Sequence, residues 1–271
     1  MKEDLSTEFD AYAPAKIALR VEQTGVNKAN MPLVPMVMLG ILAGAFIGLG
    51  ALANNLVLAH PMESLAATRI LGGVVFSLGL ILVVVAGAEL FTGNNLVVMA
   101  YVDRRITFTA LLRNWIIVLL SNTAGAIFLA FLVYQSGYAE LIGGKVGEKI
   151  LATAETKSLL SAQRAFFSGV LCNILVCLAV WMSFAGHSVT DKILAMILPV
   201  TVFVAAGFEH SIANTFLFPL AYMIQDDPLF VQMATPVGLT DMLHNLLPVI
   251  AGNMIGGGLF VGVVYAMIYK R

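Results

Sequence analysis

Charge is what this sequence has least of: Asp, Glu, Lys and Arg make up 11% of its 271 residues, where a soluble domain carries roughly a quarter. With 59% of the chain hydrophobic and a mean hydropathy of +0.91, water is excluded as the solvent for most of its surface. A basic excess is missing too. Fifteen Lys and Arg against sixteen Asp and Glu give a net charge of -1, which leaves nothing to neutralise phosphates and excludes nucleic acid as a partner. Cysteine is scarce. Cys172 and Cys177 lie in one apolar run, and at about 100° per residue a separation of five turns them roughly 140° apart. They read as packing residues, neither a disulfide nor a metal pair. No short apolar run follows a basic start. The opening segment is mixed and carries Lys2, Lys16, Arg20 and Lys28, which predicts an N-terminus that stays in the cytoplasm.

Apolar length is abundant. Runs long enough to cross a bilayer core, which needs roughly 20 helical residues, lie at about 33–59, 68–101, 107–135, 161–186, 191–225 and 242–269. An all-α membrane protein of six transmembrane helices is predicted. The second and fifth runs exceed one crossing and carry Gly87-Ala-Glu-Leu-Phe-Thr-Gly-Asn-Asn95 and Ala206-Gly-Phe-Glu-His-Ser-Ile-Ala-Asn214 near their middles, so both are expected to break at mid-membrane. Each half of the chain holds a plain, a broken and a plain span. Three spans per half force opposite orientations, the inverted-repeat plan of transporters. A single channel domain, 1–271, is thus expected, with a cytoplasmic segment 1–30 and repeats at 31–150 and 151–271. With the N-terminus inside, the cytoplasmic loops collect Lys2, Lys16, Arg20, Lys28, Arg104, Arg105, Arg113, Lys192, Lys270 and Arg271, ten of the fifteen basic residues, so both termini are expected there. Lys145, Lys149, Lys157 and Arg164 fall in one long outer loop. The spacings Gly40/Gly44/Gly48, Gly252/Gly256 and Gly258/Gly262 suit close helix packing.

Breaking a helix in hydrocarbon strands backbone groups at several kcal/mol each, so it survives only beside protein or a water-filled cavity. Two breaks imply a pathway, and the freed N-termini near Thr92–Asn94 and Ser211–Asn214 suit an anion. His210 is the one histidine at membrane depth. It is read as a proton relay or selectivity switch whose imidazolium meets the anion, with Asn173 and Glu209 fixing its ring. Glu89 and Glu209 occupy matching places and are expected to accept backbone N–H groups and hold the breaks in shape. Asn173 either orients His210 or bridges helices. Phe76, Leu80, Leu90, Phe91 and Phe203 are either packing or apolar constrictions.

The breaks Gly-Ala-Glu-Leu-Phe-Thr-Gly-Asn (87–94) and Phe-Val-Ala-Ala-Gly-Phe-Glu-His-Ser-Ile-Ala-Asn (203–214), with the stretches at 72–82 and 173–183, resemble the formate/nitrite transporter family over about residues 10–270. The resemblance implies a homopentamer with an aquaporin-like pore in each protomer, in the cell inner membrane among its lipids. It implies that His210 is the central histidine, Thr92 the flexible threonine of the break, Asn173 its partner and Lys157 a vestibule lysine. Leu80, Leu90 and Phe91 would form one constriction, and Phe76 with Phe203 the other. The substrate class is small monovalent anions or their neutral acids: formate first, with nitrite, acetate, lactate and hydrosulfide open. Gly93-Asn94-Asn95 departs from the small hydroxyl residues of enterobacterial-type formate channels. No cofactor and no metal are expected. A haem-bearing oxidoreductase subunit would need paired histidines at membrane depth, a protease of the nucleophile-elbow type a G-x-S-x-G, and a mere anchor leaves both breaks without a purpose. An enzyme is therefore not expected.

Overall fold

The computed structural model describes residues 11–231 and 235–269; Lys2, Lys270 and Arg271, counted above toward the cytoplasmic side, lie outside the described residues. The described residues form helices joined by turns, with no strand among them. In chain order the helices are α1 (Pro14–Ala29), α2 (Leu33–Ala59), α3 (Leu65–Gly87), α4 (Phe91–Asn94), α5 (Val98–Val102), α6 (Phe108–Gln135), α7 (Lys145–Ser158), α8 (Ala162–Ser183), α9 (Val189–Ala206), α10 (Ser211–Ile224) and α11 (Leu239–Ile268). Six of them, α2, α3, α6, α8, α9 and α11, are long and apolar enough to cross a membrane, and α10 is a shorter apolar helix. Large apolar side chains such as Val34, Leu120, Leu198 and Met267 face outward, as a lipid environment allows.

The two interruptions share one backbone design. The last turn of α3, Leu82–Gly87, is widened to a π-helix; Ala88 and Leu90 are extended, and helix resumes at Phe91. On the other side α9 stops at Ala206 and α10 restarts at Ser211 behind an extended His210. Gly87 and Gly207 sit at φ +84° and +76°. Nothing crowds a Cβ at either place, so glycine is needed there for its left-handed backbone and not for space. Close approach explains glycines at helix contacts. A methyl on Gly44 would overlap the carbonyl of Asn122 on α6, and one on Gly252 the carbonyl of Phe166 on α8. α2 thus packs on α6 as α11 packs on α8.

Two helices were not foreseen. The supposed long outer loop contains α7, and the N-terminal segment contains α1. Both are amphipathic, burying Ile17, Ala18, Val21, Gly25 and Ala29 in one case and Val146, Ile150, Leu151 and Ala154 in the other, the helical spacing of a single apolar stripe. α7 runs across residue 150, so a division of the chain there cuts a helix. The turn before α7 is tied down by the Tyr138 hydroxyl, which donates to Leu52 O at 2.7 Å; burial pushes that phenol up to about 12.

Candidate anion pathway

Each break is clamped by a lysine, a glutamate and three asparagines. At the first, Lys28 Nζ reaches Glu89 Oε1 at 2.7 Å and Asn94 Oδ1 at 2.9 Å. Asn94 Nδ2 donates to Glu89 Oε2 at 2.7 Å and to Asn114 Oδ1 at 3.0 Å, and Asn114 Nδ2 returns to Lys28 O at 3.2 Å. Asn122 then spans the gap, accepting from Phe91 N at 2.8 Å and donating to Gly40 O and Glu89 O at 2.8 Å each. The second break repeats all of this but the lysine-to-asparagine bond, and there Asn245 Nδ2 also reaches Glu209 Oε2 at 3.3 Å. Lys157 Nζ reaches Glu209 Oε1 at 2.6 Å. Asn214 Nδ2 donates to Glu209 Oε2 at 2.6 Å and Asn245 Oδ1 at 2.8 Å, while Asn245 Nδ2 donates to Lys157 O at 3.0 Å. Asn253 accepts from Ser211 N at 3.0 Å and donates to Gly169 O at 2.8 Å and Glu209 O at 3.0 Å.

These contacts correct two expectations. Neither carboxylate accepts from backbone N–H groups. Each is neutralised by a lysine and held by amides, since a buried carboxylate needs a counter-charge as well as hydrogen bonds. Nor do the restarted helices present a full set of free donors: Phe91 and Ser211 give their N–H to Asn122 and Asn253, and Ala213 N donates to His210 Nδ1 at 3.1 Å. A donor left unmade in an apolar interior costs about 1–3 kcal/mol, so the fold uses its own side chains to satisfy them.

The contact at Nδ1 also selects the tautomer of the neutral histidine. An N–H donates into that nitrogen, so it carries no proton, and in the neutral ring Nε2 is then the donor. Nε2 lies 3.1 Å from Thr92 Oγ1, which therefore accepts. Making an imidazolium would require giving up the Nδ1 cap of α10, a contact of the kind worth about 0.5–2 kcal/mol, in a side chain only 3% exposed. A cationic relay would first have to release that cap. The Thr92 hydroxyl likewise bonds the histidine and not the freed backbone; Asn122 satisfies that.

Asn173 bridges helices. Its Nδ2 lies 3.2 Å from Thr92 O, 3.1 Å from Asn95 Oδ1 and 2.7 Å from Asn253 O, and its side chain makes no hydrogen bond with His210 among the described residues. Glu209 does not fix the ring either. The ring is set by Ala213, by Thr92 and by Phe203, stacked on it at 5.9 Å between centroids. Asn94 and Asn95, where the sequence departs from the enterobacterial pattern, spend their amides on Glu89, Asn114, Phe91 O and Asn173. They are bound to the protein's own groups.

Two cavities approach this centre. One, of about 380 Å³, is lined by Arg20, Lys28, Lys192 and Glu89 together with Leu80 and Leu90. The other, of about 640 Å³, is lined by Arg69, Lys149, Lys157, Glu209 and His210 and meets Phe76 and Phe203, whose rings are edge to face at 5.7 Å. Phe91 is buried in the core and is not among the residues lining either cavity. Cys172 and Cys177 are buried free thiols, Cys177 donating to Thr92 O at 3.3 Å.

A family profile described as formate/nitrite transporter matches residues 15–267. The chain belongs to the formate/nitrite transporter family. It is similar to the formate channel FocA of Haemophilus influenzae, 40% identical over 96% of this chain and 95% of that one, and to FocA of Escherichia coli K12, 41% identical over 97% and 96%. Among solved structures it is similar to a pentameric formate channel with formate bound, with a TM-score of 0.81 at 40% identity, covering 88% of this chain and 98% of the other.

For this family member, sequence reasoning missed Lys28, Asn94, Asn114, Asn122, Asn214, Asn245 and Asn253 as functional groups. A signal was there. Glutamate and asparagine stand five apart in both breaks, and paired asparagines stand eight apart in the third and sixth spans alike. Amides repeated at the same spacing in two apolar runs mark a shared hydrogen-bonding task.

Proposed function

We propose that this chain is a formate channel of the cell inner membrane that passes formate as its neutral acid through an apolar gap between two cationic cavities. One observation carries the reading: His210, beside Phe76 and Phe203 in the wall of the larger cavity, has Nδ1 facing a backbone N–H and Nε2 facing the Thr92 hydroxyl, contacts that suit a neutral ring. The centre offers hydrogen bonds and no resident charge. Moving a bare carboxylate into such a zone costs many kcal/mol, so the group takes a proton instead, and its proton affinity rises as water thins around it. The lysine-lined cavities concentrate the anion, and cavity water supplies the proton. At the inner end of the larger cavity, His210 keeps the Thr92 oxygen engaged as an acceptor. That leaves the threonine's own proton free to meet a passing substrate oxygen. Nitrite, acetate, lactate and hydrosulfide are also conjugate bases of weak acids and fit the same chemistry where the rings of Phe76 and Phe203 admit them.

The architecture that suits this is an aquaporin-like inverted repeat with the second and fifth spans, α3–α5 and α9–α10, broken at mid-membrane. The close match of the two clamps, which share a lysine, a glutamate and three asparagines in corresponding places, supports it. α1 pairs with α7, each bringing its lysine in the last turn, so the repeats divide before Lys145 and not at 150. Gathering of Arg20, Lys28 and Lys192 at one cavity, with Arg105 and Arg113 bonded to α1 and its end, supports termini on the cytoplasmic side. The solved relative supports a homopentamer.

Purified protein in liposomes, given an inward formate gradient with internal pH recorded, tests the reading. Formate entering as its acid must acidify the lumen in step with flux. Asn is itself a good helix cap, so His210→Asn is expected to keep both flux and proton co-movement. Formate entry without acidification in the wild type would refute neutral-acid passage. Proton co-movement lost only in His210→Asn would restore the relay.

A further inference from the structure

The 640 Å³ cavity holds more cationic and donor groups than the second clamp uses. Lys157 and Glu209 are committed to one another and to the asparagines around them. Arg69, at the start of α3, has no carboxylate partner among the described residues, and its recorded hydrogen bond is to Ala205 O at 3.5 Å, the outer limit of such a bond. Lys149 is likewise without a carboxylate partner among the described residues. A buried amide stands in the same wall: Asn55 is 3% exposed, yet its Nδ2 has no acceptor. Its neighbour Asn54 lines the same cavity, and its Oδ1, close to Gly72, is a buried acceptor with no donor among the described residues.

Buried side-chain donors in folded proteins are nearly always paired, and an exception asks for an explanation. Here the unpaired donor and the unneutralised guanidinium line one cavity that opens toward His210. Guanidinium nitrogens present a planar fork that matches the two oxygens of a carboxylate, and an amide N–H adds a further directed donor without adding charge. We infer that the cavity wall formed by Arg69 and Asn55 is a docking subsite for a small monocarboxylate, where the anion is held before it reaches the Phe76–Phe203 constriction. Lys149 adds attraction without directed contact. The inference rests on the channel reading for its substrate class. In chemistry it is separate from the central site, because it binds the charged form and the centre passes the neutral one. The smaller cavity differs: its cations Arg20, Lys28 and Lys192 line a wall that has no unpartnered buried amide among the described residues. Capture is therefore stronger from the side of Arg69.

Two measurements on the full chain test this, each on wild type, Arg69→Gln, Arg69→Lys and Asn55→Leu. One is formate influx into liposomes as a function of concentration; the other is saturation-transfer NMR of formate on the detergent-solubilised protein, which reads binding without transport. Loss of a charge-assisted bond is expected to raise the half-saturating concentration and the NMR dissociation constant about tenfold in Arg69→Gln, with Asn55→Leu moving both the same way and Arg69→Lys between. Arg69 is exposed, so its replacement leaves the fold in place. A wild type that transports formate with constants unchanged in Arg69→Gln and Asn55→Leu overturns the subsite and spares the channel reading. Arg69-dependent binding in a protein that moves no formate overturns the channel reading and spares the subsite. Neither binding nor transport overturns both.

Discussion

Asn253→Leu removes the second clamp's bridge at nearly constant size. Three bonds go with it: the cap on Ser211 N–H at 3.0 Å and the donations to Gly169 O at 2.8 Å and Glu209 O at 3.0 Å. All three partners belong to buried residues and lose the amide that satisfies them. At about 1–3 kcal/mol for each group left unsatisfied, the loss is roughly 3 kcal/mol or more; double-mutant values in membranes, which average about 0.6 kcal/mol per bond, lower that bound to about 2. A destabilisation of about 3 kcal/mol corresponds to a fall in melting temperature on the order of 10 °C for a chain of this length. Thermal unfolding of the solubilised protein, with formate flux in liposomes per assembled protein, reads both stability and function. Asn122→Leu should match it, because that residue makes the same three contacts at the first break. The exposed Asn30→Ala, which loses only a bond to Val26 O, should not shift the melting point. Wild-type melting and flux in Asn253→Leu would refute the idea that this amide holds the break open.

Thr92→Val deletes the one hydroxyl facing His210 Nε2 and leaves that N–H unpaired; flux should fall severalfold while Thr92→Ser stays near wild type, and equal rates in all three would make the hydroxyl a packing detail. Phe203→Ala removes one ring of the edge-to-face pair with Phe76, so larger monocarboxylates should enter liposomes that exclude them with the wild type; continued exclusion places the steric filter elsewhere. Lys157→Met strands the Glu209 carboxylate, at a cost of about 3–5 kcal/mol for a buried charge without its partner. Adding Glu209→Gln should recover most of the lost melting temperature, and a double variant no more stable than Lys157→Met would show that the pair is not coupled.

Much of the fold was legible because hydropathy acts locally. A run of about twenty apolar residues is a span whatever surrounds it, and a glutamate in mid-run announces an interruption. The glycines at 87 and 207 could be read as breakers from neighbours alone. The family resemblance rested on the same stretches. What answers each break was not legible, since it comes from far along the chain: Lys28 reaches Glu89 across 61 positions, and Asn253 reaches Glu209 across 44. In sequence Lys28 was one more basic residue before the first span, and α1 and α7 are too polar for a hydropathy scan to register. The role of His210 shows the limit most directly. Composition says that a titratable ring lies at membrane depth, and the free imidazole titrates near neutral pH. Which nitrogen holds the proton depends on Ala213 N–H lying 3.1 Å from Nδ1 and Thr92 Oγ1 lying 3.1 Å from Nε2. The first contact follows from a helix restarting at Ser211, and the second from two halves of the chain meeting at the centre. The sequence by itself determined the spans, the breaks and the presence of a titratable group between them; only tertiary structure decided that the group is a neutral donor, because hydrogen-bond partners brought together by packing select its tautomer.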